Sequence, residues 1–324
     1  MALPTPTKRA ALKVFSIPEL ARIICGTVRK RDNAKMIQVC RELFYSILPF
    51  VWEEIDRPDL LVSMIPGGGI VSYESELSPY VVMQLPGSLD LSRFSIYAPH
   101  VKRLTLCRMH VDAYDGWDRN DQGLSDIIAL LAIHSPSITT LSVRDFGERQ
   151  ISPKALQSWS KLPLVSLHLG WNVERTCKFS GLCSILSCLP LLQDLELGMD
   201  QLAFNLGQFR TILEHFPELR RIRIPVEWES ATKLTDTDFA PSLSQSGDTL
   251  YVKSKFHLQE PQQETAQILA RYLAALRPLG SVVCESYLPY FCPYDIDYTN
   301  YTDEGPKDMI NSELSHLGIK CRIL

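Results

Sequence analysis

Two hydrophobic periods divide the chain. Up to about residue 56, apolar residues recur three and four positions apart. Leu20, Ile23, Ile24 and Val28 form one such set, and Met36, Val39, Cys40, Leu43, Phe44 and Ile47 form a second. This spacing predicts helices separated by the polar break Arg29–Asn33. Ser16 and Glu19 stand three apart, which predicts a capping box, with Phe15 and Leu20 as its hydrophobic staple and Pro18 in the first turn. Asp32 is the candidate N-cap of the second helix. Pro49 is expected to begin a third, short helix through Phe50, Val51, Trp52 and Ile55. Three helices in so few residues bury little surface, so part of their apolar area is expected to meet something else.

From about residue 93 the period changes to two. The segments 99–106, 136–143, 163–169, 190–197 and 217–224 each place a proline before an L-x-L-like strand. Leu104, Leu141, Leu167, Leu195 and Ile222 fall at equivalent positions, with steps of 37, 26, 28 and 27 residues. Further steps of 28 and 32 reach Leu250 and Val282. Between the strands lie helix-like patterns at 124–133, 154–162, 181–189, 209–216 and 264–276. Each is stopped near the next proline, which disfavours helix continuation. Residues 57–92 read as a connector, and 229–249 as a polar loop.

The stretch "IPELARIICG…MIQVCRELFYSILPFVWEEI" resembles an F-box through Ile17, Pro18, Glu19, Leu20, Ile23, Ile24, Val39, Cys40, Arg41, Val51 and Trp52. It departs from that pattern at Arg29–Lys30–Arg31 and at Phe44, where many members carry tryptophan. The strand–helix alternation resembles a degenerate leucine-rich repeat, in the style of the diverged fungal proteins that join the two. The expectation is therefore an α/β protein: a three-helix F-box-like module at 14–56, a connector at 57–92, and a leucine-rich-repeat solenoid at 93–324. Its parallel sheet would line the concave face and its helices the convex face. The resemblance implies a substrate receptor of a Skp–cullin–F-box ubiquitin ligase. Pro18, Leu20, Ile24, Val39, Cys40 and Trp52 would face or shape the contact with a Skp-type adaptor, and the repeats would hold a target protein. The alternative is an interaction scaffold outside the ubiquitin system, in which the helical module only caps the solenoid.

In an L-x-L strand the leucines point inward and the residues between them share the other face. That face would carry Arg103, Thr105, Thr140, Ser142, Arg144, Ser166, His168, Asp194, Glu196, Arg221, Arg223, Tyr251 and Lys253. Its mixed signs fit a protein partner better than a nucleic-acid groove, which would be more uniformly basic. The formal net charge of −4 adds no pull toward nucleic acid or anionic membrane.

The candidate chemistry is sparse. Nine cysteines in 324 residues without a CxxC pair suit reduced thiols in cytoplasm or nucleus rather than a disulfide scaffold. Cys177, Cys183 and Cys188 near His168 match no common zinc spacing, and Cys183 and Cys188 read as small core residues. "PGGG" at 66–69 lacks the Lys-Ser/Thr continuation of a phosphate loop and reads as a turn. The uncharged run Leu60 to Tyr73 is too short to span a bilayer. No metal, cofactor or catalytic residue is expected. The segment 287–305, with five tyrosines and four acids, is expected to cap the repeats or to contact a partner.

Overall fold

A computed structural model of the chain describes residues 6–73, 80–84, 89–107, 129–144, 158–170, 179–197, 203–241, 248–254, 263–286, 304–316 and 321–323. The protein is of mixed α/β class, with helices and parallel strand pairing. It forms two compact units. The first holds the described residues through Ser142 together with 158–163, and the second holds 143–144 and everything from Leu164 onward.

The first unit opens with α1 (Pro6–Phe15), α2 (Pro18–Thr27), α3 (Lys30–Met36) and α4 (Arg41–Trp52). The first three helices all pack on α4. Several predicted boundaries are corrected here. Pro18 takes the first helical position of α2, so the N-cap is Ile17, which makes no side-chain cap. The Ser16 hydroxyl instead donates to the Lys13 carbonyl at 2.7 Å and finishes α1. The predicted capping box therefore does not form. The expected polar break begins α3, with Arg29 as N-cap and Asp32 inside the helix. Asn33 holds α3 to α2 by donating 2.8 Å to the Cys25 carbonyl.

Pro49 lies inside α4 rather than starting a new helix. The carbonyl it leaves without a donor belongs to Tyr45, a residue on the exposed side of the helix, where water can serve it.

The chain then enters the sheet earlier than expected. Glu54–Ile55 forms β1, which pairs in parallel with β4 (Arg103–Cys107). The expected connector is built structure, with α5 (Pro58–Val62) and the antiparallel pair β2 (Gly69–Tyr73) and β3 (Tyr80–Gln84), and after it a short α6 (Phe94–Tyr97) runs into a 3₁₀ turn at Ala98–His100. Pro58, Leu61, Val62 and Ile65 of this stretch are buried. The "PGGG" turn has a steric reason. Gly67 sits at φ 78°, and a Cβ on Gly68 would come within 2.7 Å of the Val62 carbonyl oxygen. Within this unit the strand order is β1–β4–β5, where β5 is Thr140–Arg144 and the unit boundary falls inside it.

The second unit contains β6 (Ser166–Gly170), α7 (Phe179–Leu186), β7 (Asp194–Leu197), β8 (Phe204–Asn205), α8 (Leu206–His215), β9 (Arg221–Arg223) and β10 (Val226–Glu227). There follow β11 (Thr249–Ser254), α9 (Gln263–Leu276), β12 (Ser281–Ser286), α10 (Glu304–His316) and β13 (Cys321–Ile323). Its main strand order is β6–β7–β9–β11–β12–β13, all pairs parallel, and β8 pairs with β10 separately.

Leu167, Leu195 and Ile222 align across the strands as expected. The next step differs, because Ile222 aligns with Val252 and not Leu250. Both of those residues are buried, so the period-two pattern cannot distinguish the two registers. The segment read as a polar loop at 229–249 contains two 3₁₀ turns, Trp228–Lys233 and Asp236–Phe239, with Ser230 and Ala231 buried. Of the expected capping segment at 287–305, only its last two residues, the start of α10, lie among the described residues.

The leucine positions Leu167, Leu169, Leu195, Leu197, Ile222, Ile224, Leu250 and Val252 are buried on one side of the sheet, with Phe209, Ile212, Leu269 and Leu273 from the helices. α8 has a true capping box, with reciprocal bonds between Asn205 and Gln208. The Tyr272 hydroxyl donates 2.6 Å to the Leu206 carbonyl, and burial raises its pKa well above the ordinary phenol value. Arg277 donates to the carbonyls of Pro217 and Leu219, which pins the turn that feeds β9.

Two predictions follow from this packing. Phe209→Ala should cost about 3–5 kcal/mol in urea unfolding, whereas Leu279→Ala, at 70% exposure, should stay within about 0.5 kcal/mol. Burial lowers the His100 pKa, so the unfolded chain binds the proton more readily. Its contribution is fully present above the unfolded value of about 6.5 and is lost as pH falls through that value toward the folded one. Denaturation between pH 7.5 and 5.5 should show this slope, and His100→Asn should flatten it.

Candidate protein-binding surfaces

The first surface comes from α2. Ala21 and Cys25 are the positions of this helix that are buried, on the side packed toward α4. Counting 100° per residue, Ile17, Leu20, Ile23 and Ile24 extend the apolar arc to roughly 200°. Ile23 is 63% exposed and Leu20 39%, and Val39, in the turn between α3 and α4, is 71% exposed. Ala21 and Cys25 take up one end of that arc; the rest, carrying Ile17, Leu20 and Ile23, is uncovered and suits a partner surface. Arg22, Glu19, Arg29 and Arg31 stand exposed on the same helices and their junction.

Of the six residues expected to face an adaptor, Pro18, Leu20 and Val39 are exposed, and Ile24 and Cys40 are half-buried, Cys40 as the N-cap of α4. Trp52 is placed differently. Its ring packs on Tyr97 with centroids 4.9 Å apart, and Phe44 meets the same tyrosine edge-on at 6.3 Å. Trp52 thus joins α4 to α6 inside the first unit. The sequence pattern gave no signal for this, because α6 lies between the expected connector and the first L-x-L strand.

The second surface is the polar side of the sheet in the second unit. Register sets its residues in two rows. Ser166, Asp194, Arg221, Tyr251 and Val283 form one; His168, Glu196, Arg223, Lys253 and Glu285 form the other. The mixed signs of the sequence are here cross-strand pairs. Arg221 Nε lies 2.8 Å from Asp194 Oδ1, Arg223 Nη1 lies 2.8 Å from Glu196 Oε1, and Lys253 Nζ lies 3.5 Å from Glu285 Oε2. In the first unit Arg103 pairs with Glu54 at 3.2 Å. Each acid sits on the strand beside its base, which is the geometry of favourable cross-strand pairs.

His168 joins this network from β6. Its Nε2 lies 3.0 Å from the Ser166 hydroxyl and its Nδ1 lies 3.8 Å from Glu196 Oε2. The order hydroxyl, imidazole, carboxylate is that of a proton relay. However, 3.8 Å exceeds a hydrogen bond, and Glu196 is already engaged by Arg223. The row reads as a polar network.

The expected partner-facing set is corrected at Ser142, which is buried at 4% exposure, and Ser166 is likewise buried. Thr105 and His168 are half-buried, Arg103 is exposed, and the Arg144 side chain lies outside the described residues. Tyr251, the most exposed large ring on this face, is placed there by the same alternation.

Among the described residues, no group of three or more His, Cys, Asp or Glu side chains gathers as a metal site would. Cys183 is half-buried and Cys188 exposed, which corrects their reading as core residues; Cys177 lies outside the described residues. No helix among the described residues is long and apolar enough to cross a membrane. Compared with known proteins, the chain matches no protein-family model and no curated protein.

A double-mutant cycle on Glu196→Gln and Arg223→Gln should give a coupling of about 0.5–1 kcal/mol in denaturation, shrinking in 1 M salt because both side chains are about one-third exposed.

Proposed function

We propose that this chain is the substrate-receptor subunit of a Skp–cullin–F-box ubiquitin ligase, with α2–α4 docking a Skp-type adaptor and the repeat strands holding a target protein. The observation that carries the reading is the uncovered apolar arc of α2 with Val39 beside the start of α4. It falls on residues that resemble an F-box, and a partner helix would cover it. The sheet of parallel strands with buried leucines is compatible with leucine-rich repeats and offers a polar face for a target. Such a protein does no bond chemistry. It works by raising the effective concentration of target lysines near a charged ubiquitin carrier.

A second reading is an interaction scaffold without an adaptor. The inward packing of Trp52 on Tyr97 favours it, since one residue expected at the adaptor contact is then occupied within the chain.

Co-expression with a purified Skp-type adaptor and size-exclusion chromatography separates the two. The receptor reading expects co-elution that is lost in the double variant Pro18→Ala, Leu20→Ala and weakened at least about tenfold by Val39→Asp, with the circular dichroism unchanged. Failure of the folded wild-type chain to co-elute would favour the scaffold.

A further inference from the structure

We infer that the polar face of the second unit's sheet docks an acidic peptide segment of a partner protein, with a carboxylate on Arg221 and a neighbouring apolar or aromatic side chain on Tyr251. This rests on the reading of that face as the target-binding surface and names the chemistry of the segment it would take.

The argument starts from which charges stand outermost. The Arg221 side chain is 73% exposed, whereas its partner Asp194 is 26% exposed and recessed beside it. Arg221 meets Asp194 through Nε, and Asp194 Oδ1 has no aligned hydrogen bond, so the contact is ionic and out of line. The two terminal nitrogens of the guanidinium engage nothing else among the described residues, and this fork fits a carboxylate bidentately.

Directly across the register, Tyr251 pairs with Arg221 on one side and with half-exposed Val283 on the other. Tyr251 is 53% exposed. Arg223 and Lys253 stand one dyad along on the same two strands, so three cations border one exposed tyrosine. Tyrosine and arginine together are the residue types that dominate binding energy at protein interfaces, because they combine area with directed polar contacts.

The flanks narrow the class of partner. Asp194 and Glu196 line β7 and Glu285 lies on β12, so acids border the basic centre on both sides. A polyphosphate backbone crossing the strands would meet those carboxylates. A short segment with one or two acids and an apolar neighbour would not. Each partner carboxylate would compete with an exposed ion pair worth at most about 1 kcal/mol, a small barrier to exchange.

The test uses the full chain alone, without adaptor, so its result is independent of adaptor docking. Fluorescein-labelled peptides carrying two glutamates beside one tyrosine or phenylalanine are titrated by fluorescence polarisation. Parallel sets replace glutamate with lysine, glutamate with phosphoserine, or the aromatic residue with serine. The expected result is binding of the glutamate–aromatic set at least tenfold tighter than the lysine and serine sets. Arg221→Gln and Tyr251→Ala should each weaken it at least tenfold, while Leu279→Ser leaves it unchanged. Equal affinity across charge, or full affinity in both variants with unchanged circular dichroism, overturns the inference. Binding confined to phosphoserine peptides overturns the carboxylate assignment.

Discussion

One backbone arrangement recurs at the start of the strands and holds the sheet in order. A single carbonyl accepts from two successive N–H groups of the strand that follows. Glu53 accepts from Lys102 and Arg103, Lys102 from Thr139 and Thr140, Val165 from Gln193 and Asp194, and Gln193 from Arg220 and Arg221, at 2.8 to 3.1 Å. In each case the shared acceptor lies two residues before the aligned leucine position. The contact therefore fixes where the period-two alternation begins, and with it which residues are buried and which look outward. The proline-bearing turns upstream, closed for instance from Ile138 to Ser135 and from Leu219 to Phe216, deliver the chain to that point.

That constraint explains what the sequence made legible. A buried leucine row needs strict alternation, so five strands were readable from L-x-L spacing and two more, at Leu250 and Val282, from the repeat step; the helices around 209–216 and 264–276 were readable from their own period. The step from Ile222 was not readable, because Leu250 and Val252 are equally apolar and equally buried. Alternation gives the face of a residue but not which of two equivalent rungs it occupies.

The helical module was harder to read for a different reason. Ser16–Glu19 carries the spacing of a capping box, yet α1 precedes it and takes the serine hydroxyl for its own last turn. A cap signature is unambiguous only where no helix ends on the same residue. A box that does form, Asn205 with Gln208, has the same spacing and was hidden in a segment whose strand ended close by. The apolar arc of α2 was visible in the sequence as apolar residues on several sides. The role of Trp52 was not, since its partner Tyr97 lies 45 residues away in sequence.

The ion pairs across β7, β9, β11 and β12 also bear on how such a protein can grow. Acids occupy β7, bases occupy β9, and the rung is neutral only because unlike strands are neighbours. Copying β9 alone in tandem would set a second pair of arginines beside Arg221 and Arg223 and leave the new row without counter-charge. Copying β7 and β9 together would keep acid beside base. The array is thus extensible in pairs and resistant to extension by one, a grammar of neighbours written on the face opposite the leucines.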